Sequence, residues 1–263
     1  MTLLIDGLPP TADHLAYFAT TNYGAYTSFR VEAGGVRGLD LHLARLEGSA
    51  LALFGEAVPD EELSRLMRAA LGGTTDAWLR IGLFSPDIWA RTPDVVVRPR
   101  VLTTVSPPPS PLANSVRLQA QPHVRLLPEH KHTATIEAIH ARRMARQAGF
   151  DDALYVDRDG LISEGSLWNI GFLAGDTVVW PQAPMLAGVA QALIAQGLEG
   201  QGMRSETRPI RADDLTVFDG AFICNSATPA CAVTAIGDVA FEVDDARVNR
   251  LRAAWASAPL QPI

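Results

Sequence analysis

Four prolines fall within Ser106-Pro107-Pro108-Pro109-Ser110-Pro111. Each removes a backbone donor and fixes φ, so neither a helix nor an interior strand runs through this stretch. It divides the 263 residues into a first domain at 1–105, a linker at 106–114 and a second domain at 115–263, each long enough for its own core. In the first, Leu3-Ile5, Tyr26-Val31, Ala77-Phe84 and Val95-Val105 read as strands. Asp40 is placed to N-cap a helix carrying Leu43, Leu46, Ala50 and Leu53, and Asp60 opens a second helix that Gly72-Gly73 ends. In the second, Val116-Ala120, Ala153-Val156, Leu161-Ser163, Trp168-Leu173, Thr177-Trp180 and Ala221-Cys224 are short strands. Asp157-Arg158-Asp159-Gly160 joins two of them as a hairpin turn. Helices are expected at Thr133-Ala148, with Ile136, Ile139 and Met144 in helical spacing, after Gly188, and at Val243-Trp255. The expected class is α/β in the broad sense: a small α+β domain, then a larger mixed or barrel-like β domain with helices, and not a doubly wound parallel sheet.

Composition narrows the partners. A formal charge of −7 and a pI near 5.3 argue against nucleic acid or an anionic membrane surface, both of which need a basic face to replace counterions. No apolar run approaches the ~20 residues of a membrane span, and Met1-Thr2-Leu3-Leu4-Ile5-Asp6 lacks the basic flank of a signal peptide, so a cytoplasmic location is expected. Cys224 and Cys231 make neither a disulfide framework nor a zinc knuckle and read as buried thiols. No repeat of 20–50 residues is present, nor a Gly-rich dinucleotide fingerprint, a Walker-type loop or a Gly-x-Ser-x-Gly elbow.

His130-Lys131-His132 raises a metal reading, which the lack of nearby acidic or Cys ligands outweighs. Lys131 stands out for another reason: it is the only lysine, all 21 other basic residues being arginine. An amine in a partly apolar setting is a carbonyl nucleophile of the kind pyridoxal phosphate requires. That cofactor needs an anion cradle and an acid opposite its ring nitrogen. Glu164, in Ser163-Glu164-Gly165-Ser166 after a hairpin strand, supplies an acid, though taken singly it is an ordinary turn glutamate. Leu186-Ala187-Gly188-Val189-Ala190 opens a helix whose amides suit a phosphate, Ser226 adds a hydroxyl from a second turn, and Arg45 lies on the first helix in line with His42.

Taken in order, these segments resemble the class IV aminotransferase family. They are Tyr23-Gly24-Ala25-Tyr26-Thr27-Ser28-Phe29-Arg30-Val31, His42-Leu43-Ala44-Arg45-Leu46, Lys131, Gly149-Phe150-Asp151-Asp152-Ala153-Leu154, Asp159 to Ile170, Ala187-Gly188-Val189 and Asn225-Ser226-Ala227. These are fold-type IV pyridoxal-phosphate enzymes, among them branched-chain and D-amino-acid aminotransferases and aminodeoxychorismate lyases. The resemblance implies that Lys131 is the Schiff-base lysine, Glu164 the acid on the pyridine nitrogen and Arg45 the phosphate arginine. Val189, Ala190, Ser226 and Ala227 fall at the remaining cofactor positions, and Tyr26, Arg80 and Trp168 on the substrate side. Three positions depart from the pattern: Ala190 offers no hydroxyl, Ile136 stands where some members keep a tyrosine, and Leu83-Phe84-Ser85 replaces a common Thr-Arg-Gly.

The activity so implied is transfer of an amino group from an amino acid to a 2-oxo acid, by an enzyme that is usually a homodimer. One apparatus also serves elimination from aminodeoxychorismate, giving 4-aminobenzoate and pyruvate, so the lyase stands as the alternative. A pseudoenzyme that kept the fold for binding is the remote one. Retention of both Lys131 and Glu164 argues against it. Within Ala77-Trp78-Leu79-Arg80, alternation puts Trp78 and Arg80 on one face, an aromatic wall beside a cation that suits a substrate carboxylate.

Overall fold

The computed structural model describes residues 1–110 and 114–263, so residues 111–113 of the expected linker lie outside the described residues. The chain separates into two compact units. One comprises Met1–Ser110, His130–Ala134 and Pro259–Ile263; the other comprises Pro111–Glu129 and Thr135–Ala258. Two short segments of the expected second domain, one of them carrying Lys131, thus belong to unit 1. Hydrogen bonding explains the first. Tyr26 N–H donates to Lys131 O and Thr133 N–H to Gly24 O, both at 2.8 Å, so this piece of chain pairs antiparallel with the strand at Gly24–Val31.

In unit 1, β1 (Thr2–Ile5), helix α1 (Ala12–Thr20), β2 (Gly24–Val31), β3 (Gly35–Arg37), α2 (Leu39–Phe54), α3 (Asp60–Leu71), β4 (Ala77–Phe84) and β5 (Arg100–Ser106) follow in order. Four of the strands make an antiparallel sheet, β1-β5-β4-β2. Its inner face, with Phe29, Val31, Leu79 and Ile81, buries against Leu43, Leu46 and Phe54 of α2 and Leu63, Leu66 and Met67 of α3. α1 is held by a capping box on Thr11, a signal the sequence reading passed over. Asp40 does not cap α2: Gly38, in the left-handed region at φ 67°, does, and Asp40 lies in the first turn with its amide donating to Gln261 of the C-terminal strand (Leu260–Pro262). β5 starts at Arg100 and not at Val95, because Pro99 lacks a donor and Val95 and Val96 are exposed.

Unit 2 holds β6 (Ser115–Pro122), α4 (Ile136–Gln147), β7 (Asp152–Val156), β8 (Ile162–Gly165), β9 (Asn169–Ala174), β10 (Thr177–Pro181), α5 (Val189–Gly197), β11 (Arg204–Arg208), β12 (Gly220–Cys224), β13 (Cys231–Ile236), β14 (Val239–Ala240) and α6 (Asp245–Ala256). The strands form one mixed sheet in the order β11-β10-β9-β12-β13-β6-β7-β8, with β14 beside β13. Just beyond β11, Ile210 O accepts the Ile162 N–H at 2.8 Å and Arg211 bridges Leu161, so the β8 edge meets the chain leaving the β11 edge. That closure makes the unit barrel-like and leaves neither edge of the sheet open there. Phe172, Phe218, Val179, Ile170 and Ile223 fill its interior. α5 and α6 cover the other face, with Ile194 and Leu251 in one cluster with Trp180 of β10. Cys224 and Cys231 are buried free thiols.

α4 departs from its sequence reading. It begins at Ile136, since residues up to Thr133 are engaged by β2, and its Ile136, Ile139 and Met144 are exposed. Ala141 and Ala145 carry the buried face, against Ala153 and Tyr155. Small residues let the helix approach the sheet closely.

Candidate active site

Unit 1 assembles its polar groups on two faces of β2. On the outer face, Arg80 on β4 stands opposite Ser28, with its guanidinium carbon 3.6 Å from the centroid of the Tyr26 ring. Lys131 Nζ lies 5.1 Å from the same centroid. Both cations lie over the Tyr26 ring, whose negative quadrupole attracts each. Burial holds the Arg80 guanidinium below its ordinary value, and Tyr26 opposes that shift. Trp78 and Arg80 alternate with buried Ala77 and Leu79, so the two side chains do share a face.

On the inner face of β2, α2 buries Leu39, His42, Leu43, Leu46, Ser49 and Ala50 along one stripe. Two members of that stripe are polar, and the cost of burying them is met by hydrogen bonds. His42 Nδ1 lies 2.6 Å from Thr27 Oγ1, Arg45 Nη2 donates to the same hydroxyl at 2.5 Å, and Ser49 Oγ lies 3.2 Å from His130 Nδ1. Burial first, then the charges of Arg45 and Lys131, hold the His42 imidazole well below its ordinary value. The sequence reading placed Thr27 and His42 in family segments, with His42 in line with Arg45, but gave neither a role. The signal was there in a histidine and a serine, seven apart, at positions where an amphipathic helix should be apolar.

Unit 2 brings Glu164 to the turn before α5. The carboxylate is 3% exposed, and its Oε1 accepts the Leu186 N–H at 3.1 Å and faces Arg125 Nη1 at 3.5 Å. Arg125 also faces Glu137 through Nε at 3.9 Å. Nearby Tyr155 is buried; desolvation, then the Glu137, Glu164 and Asp152 carboxylates, raise its hydroxyl above the ordinary value, so it stays protonated. Neither Arg125 nor Tyr155 was singled out from the sequence. Asn169 Nδ2 donates to Leu186 O at 2.9 Å, and a Cβ on Gly188 would fall 1.8 Å from Asn169 Oδ1. Glycine is therefore required there for the close approach. α5 starts directly after it, with Val189 and Ala190 in its first turn, no side-chain cap and no acidic residue, leaving its positive end for an anion. After β12, Asn225 Oδ1 accepts the amides of Ala227 and Thr228, both at 2.9 Å, which fixes the turn that presents Ser226.

Trp168 takes a place other than a substrate wall. Its indole is packed in the unit 2 core, 5% exposed, and its Nε1 donates to Asp152 Oδ2 at 2.8 Å. Buried Asp152 also accepts from Ser166 Oγ at 2.5 Å and the Ala153 amide at 2.8 Å, with Arg142 Nε 3.4 Å away. Asp152→Ala is expected to destabilise the protein by about 3 kcal/mol, because it strands a buried indole N–H and a hydroxyl together. Thermal unfolding of the variant checks this. An unchanged midpoint would show that the network is slack.

Residues 24–236 match the family described as amino-transferase class IV. A probable branched-chain-amino-acid aminotransferase of Rickettsia felis is 27% identical over 119 residues, 44% of this chain and 41% of that protein. The chain thus matches less than half the length of that curated relative. Among solved structures, a fold IV-transaminase from Curtobacterium pusillum is 25% identical with a TM-score of 0.77, over 92% of this chain and 89% of that one. A putative 4-amino-4-deoxychorismate lyase from Legionella pneumophila shares the fold at a TM-score of 0.81 and 19% identity, with 97% of each chain covered. The match to the family spans most of the chain, from β2 through β13. The chain belongs to the class IV aminotransferase family, whose members are pyridoxal-phosphate enzymes.

Proposed function

We propose that the protein is a pyridoxal-phosphate-dependent aminotransferase that moves an amino group from an amino acid to a 2-oxo acid. The observation that carries the reading is the setting of Lys131: the one lysine of the chain, half-buried, on a segment pinned to β2, with its ammonium against the Tyr26 ring. The residues of each unit suit the cofactor. Unit 1 offers Lys131 as the amine that holds it and Arg45 as a cation for its phosphate. Unit 2 offers the buried Glu164 carboxylate for the ring nitrogen, and the amides of Val189 and Ala190 with Ser226 and Ala227 for the phosphate. When bound, pyridoxal phosphate supplies an electron sink that makes the α-proton of an amino acid acidic. Lys131 Nζ takes that proton and returns it, Glu164 keeps a proton on the ring nitrogen, and Arg80 binds the substrate carboxylate beside Tyr26. Assay with amino acids and 2-oxo acids against assay with aminodeoxychorismate tests the reading. Amino transfer is expected; release of 4-aminobenzoate and pyruvate alone would make the protein the lyase instead.

A carboxylate subsite predicts a separable effect. Arg80→Met should raise KM for an amino acid by roughly tenfold or more and barely touch the corresponding decarboxylated amine. Equal effects on both would make Arg80 a structural partner of Tyr26.

Among the described residues no helix is long and apolar enough to cross a membrane. A homodimer in the cytoplasm completes the proposal, supported by the family resemblance and the acidic charge.

A further inference from the structure

We propose that His42 is a positioning residue for Arg45: as a neutral acceptor it orients the Thr27 hydroxyl, which in turn fixes the guanidinium as an anion-binding group. The inference rests on the reading of Arg45 as a ligand of the cofactor phosphate.

Arg45, which can only donate, favours one direction of the relay. A guanidinium has donors and no acceptor, so at 2.5 Å from Arg45 Nη2 the Thr27 oxygen must accept. Its own proton can then be donated to His42 Nδ1, 2.6 Å away. Nδ1 therefore accepts, and the ring proton resides on Nε2. A second donor enforces the same tautomer, since Arg45 Nη2 is itself 3.4 Å from Nδ1. A proton on Nδ1 would face that donor.

Packing makes the relay rigid. Thr27 is fully buried and His42 is 1% exposed, and the Phe29 ring lies 4.7 Å from the imidazole, centroid to centroid, tilted by 48°. Burial and the neighbouring cations keep the imidazole neutral, in agreement with the acceptor role. Both partners are uncharged, so they orient the guanidinium without neutralising it. A carboxylate at either place would neutralise it. Fixing a long, flexible side chain in advance also lowers the entropy lost when the anion binds.

The experiment compares binding of pyridoxal phosphate and of pyridoxal, which lacks only the phosphate, to wild type and variants. Thr27→Val removes the hydroxyl at constant shape, and His42→Leu removes the acceptor. Each should weaken pyridoxal phosphate by roughly tenfold, while leaving pyridoxal within about twofold. Thr27→Ser and His42→Asn, whose Oδ1 can stand near the position of Nδ1, should restore most of the loss. Added to Arg45→Met, Thr27→Val should cost nothing more. The relay is overturned if the losses are equal for the two ligands, if pyridoxal phosphate binding is unchanged, or if His42→Asn is no better than His42→Leu. Should His42→Leu fail to fold, the two Thr27 variants decide alone. Arg45→Met separates the two levels of inference. If it leaves the preference for the phosphorylated ligand intact, the phosphate reading fails; if it abolishes that preference while Thr27→Val does not touch it, only the relay fails.

Discussion

Lys131→Ala is expected to lower aminotransferase turnover by about 10³-fold or more, since under the proposed function it removes both the cofactor's amine anchor and the base for the α-proton. The fold should survive. The contacts that place this residue run through its backbone, where the carbonyl accepts the Tyr26 amide, and truncation of the side chain leaves them in place. Steady-state assay together with thermal unfolding checks both halves. Partial rescue by a small primary amine would show that what was lost is an amine. A variant with wild-type turnover would end the assignment.

Glu164 carries the second large effect. Its carboxylate is buried, with an amide and an arginine on Oε1, so it is held at one orientation before any ligand arrives. Glu164→Gln keeps the size and loses the charge. It should slow α-proton exchange by roughly 10²–10³-fold, as removal of one preorganised charge partner does elsewhere. Exchange of a deuterated amino acid, followed by NMR, reads the proton step directly. Glu164→Ala should be at least as slow and less stable, because Arg125 then keeps only the Glu137 carboxylate of the two it faces here. Unchanged exchange in Glu164→Gln would move the acid to another residue.

Much of this was legible in the sequence. Period-2 runs such as Ala77–Phe84 and the pair at Asn169–Ala174 and Thr177–Pro181 gave their strands almost to the residue, because alternation and a glycine turn are local signals. α4 was misread because its apolar residues point outward and its buried face is alanine, which hydrophobic spacing does not register. The start of α4 and the place of Lys131 were set by pairing with β2, more than 100 residues earlier, a non-local fact. The residues proposed for the chemistry, a lone lysine and a glutamate after a strand, are conspicuous by type in the sequence itself. Those that only hold them, Thr27, His42, Arg125 and Asp152, became visible when the elements came together. Trp168 shows how a core contact stays hidden in a motif. An aromatic beside a family motif was read as a substrate wall, whereas Asp152 and the unit 2 core claim it.

The central claim is that Lys131 holds the cofactor. Incubation with pyridoxal phosphate, borohydride reduction and tryptic mapping test it in one step, and the sequence makes the result unambiguous. Trypsin cuts after Arg125, Lys131 and Arg142, and an alkylated lysine resists cleavage. The account predicts the pyridoxyl mass on one peptide, Leu126 to Arg142, uncut at Lys131. Label confined to the N-terminal amine, with Leu126 to Lys131 recovered unmodified, would contradict it.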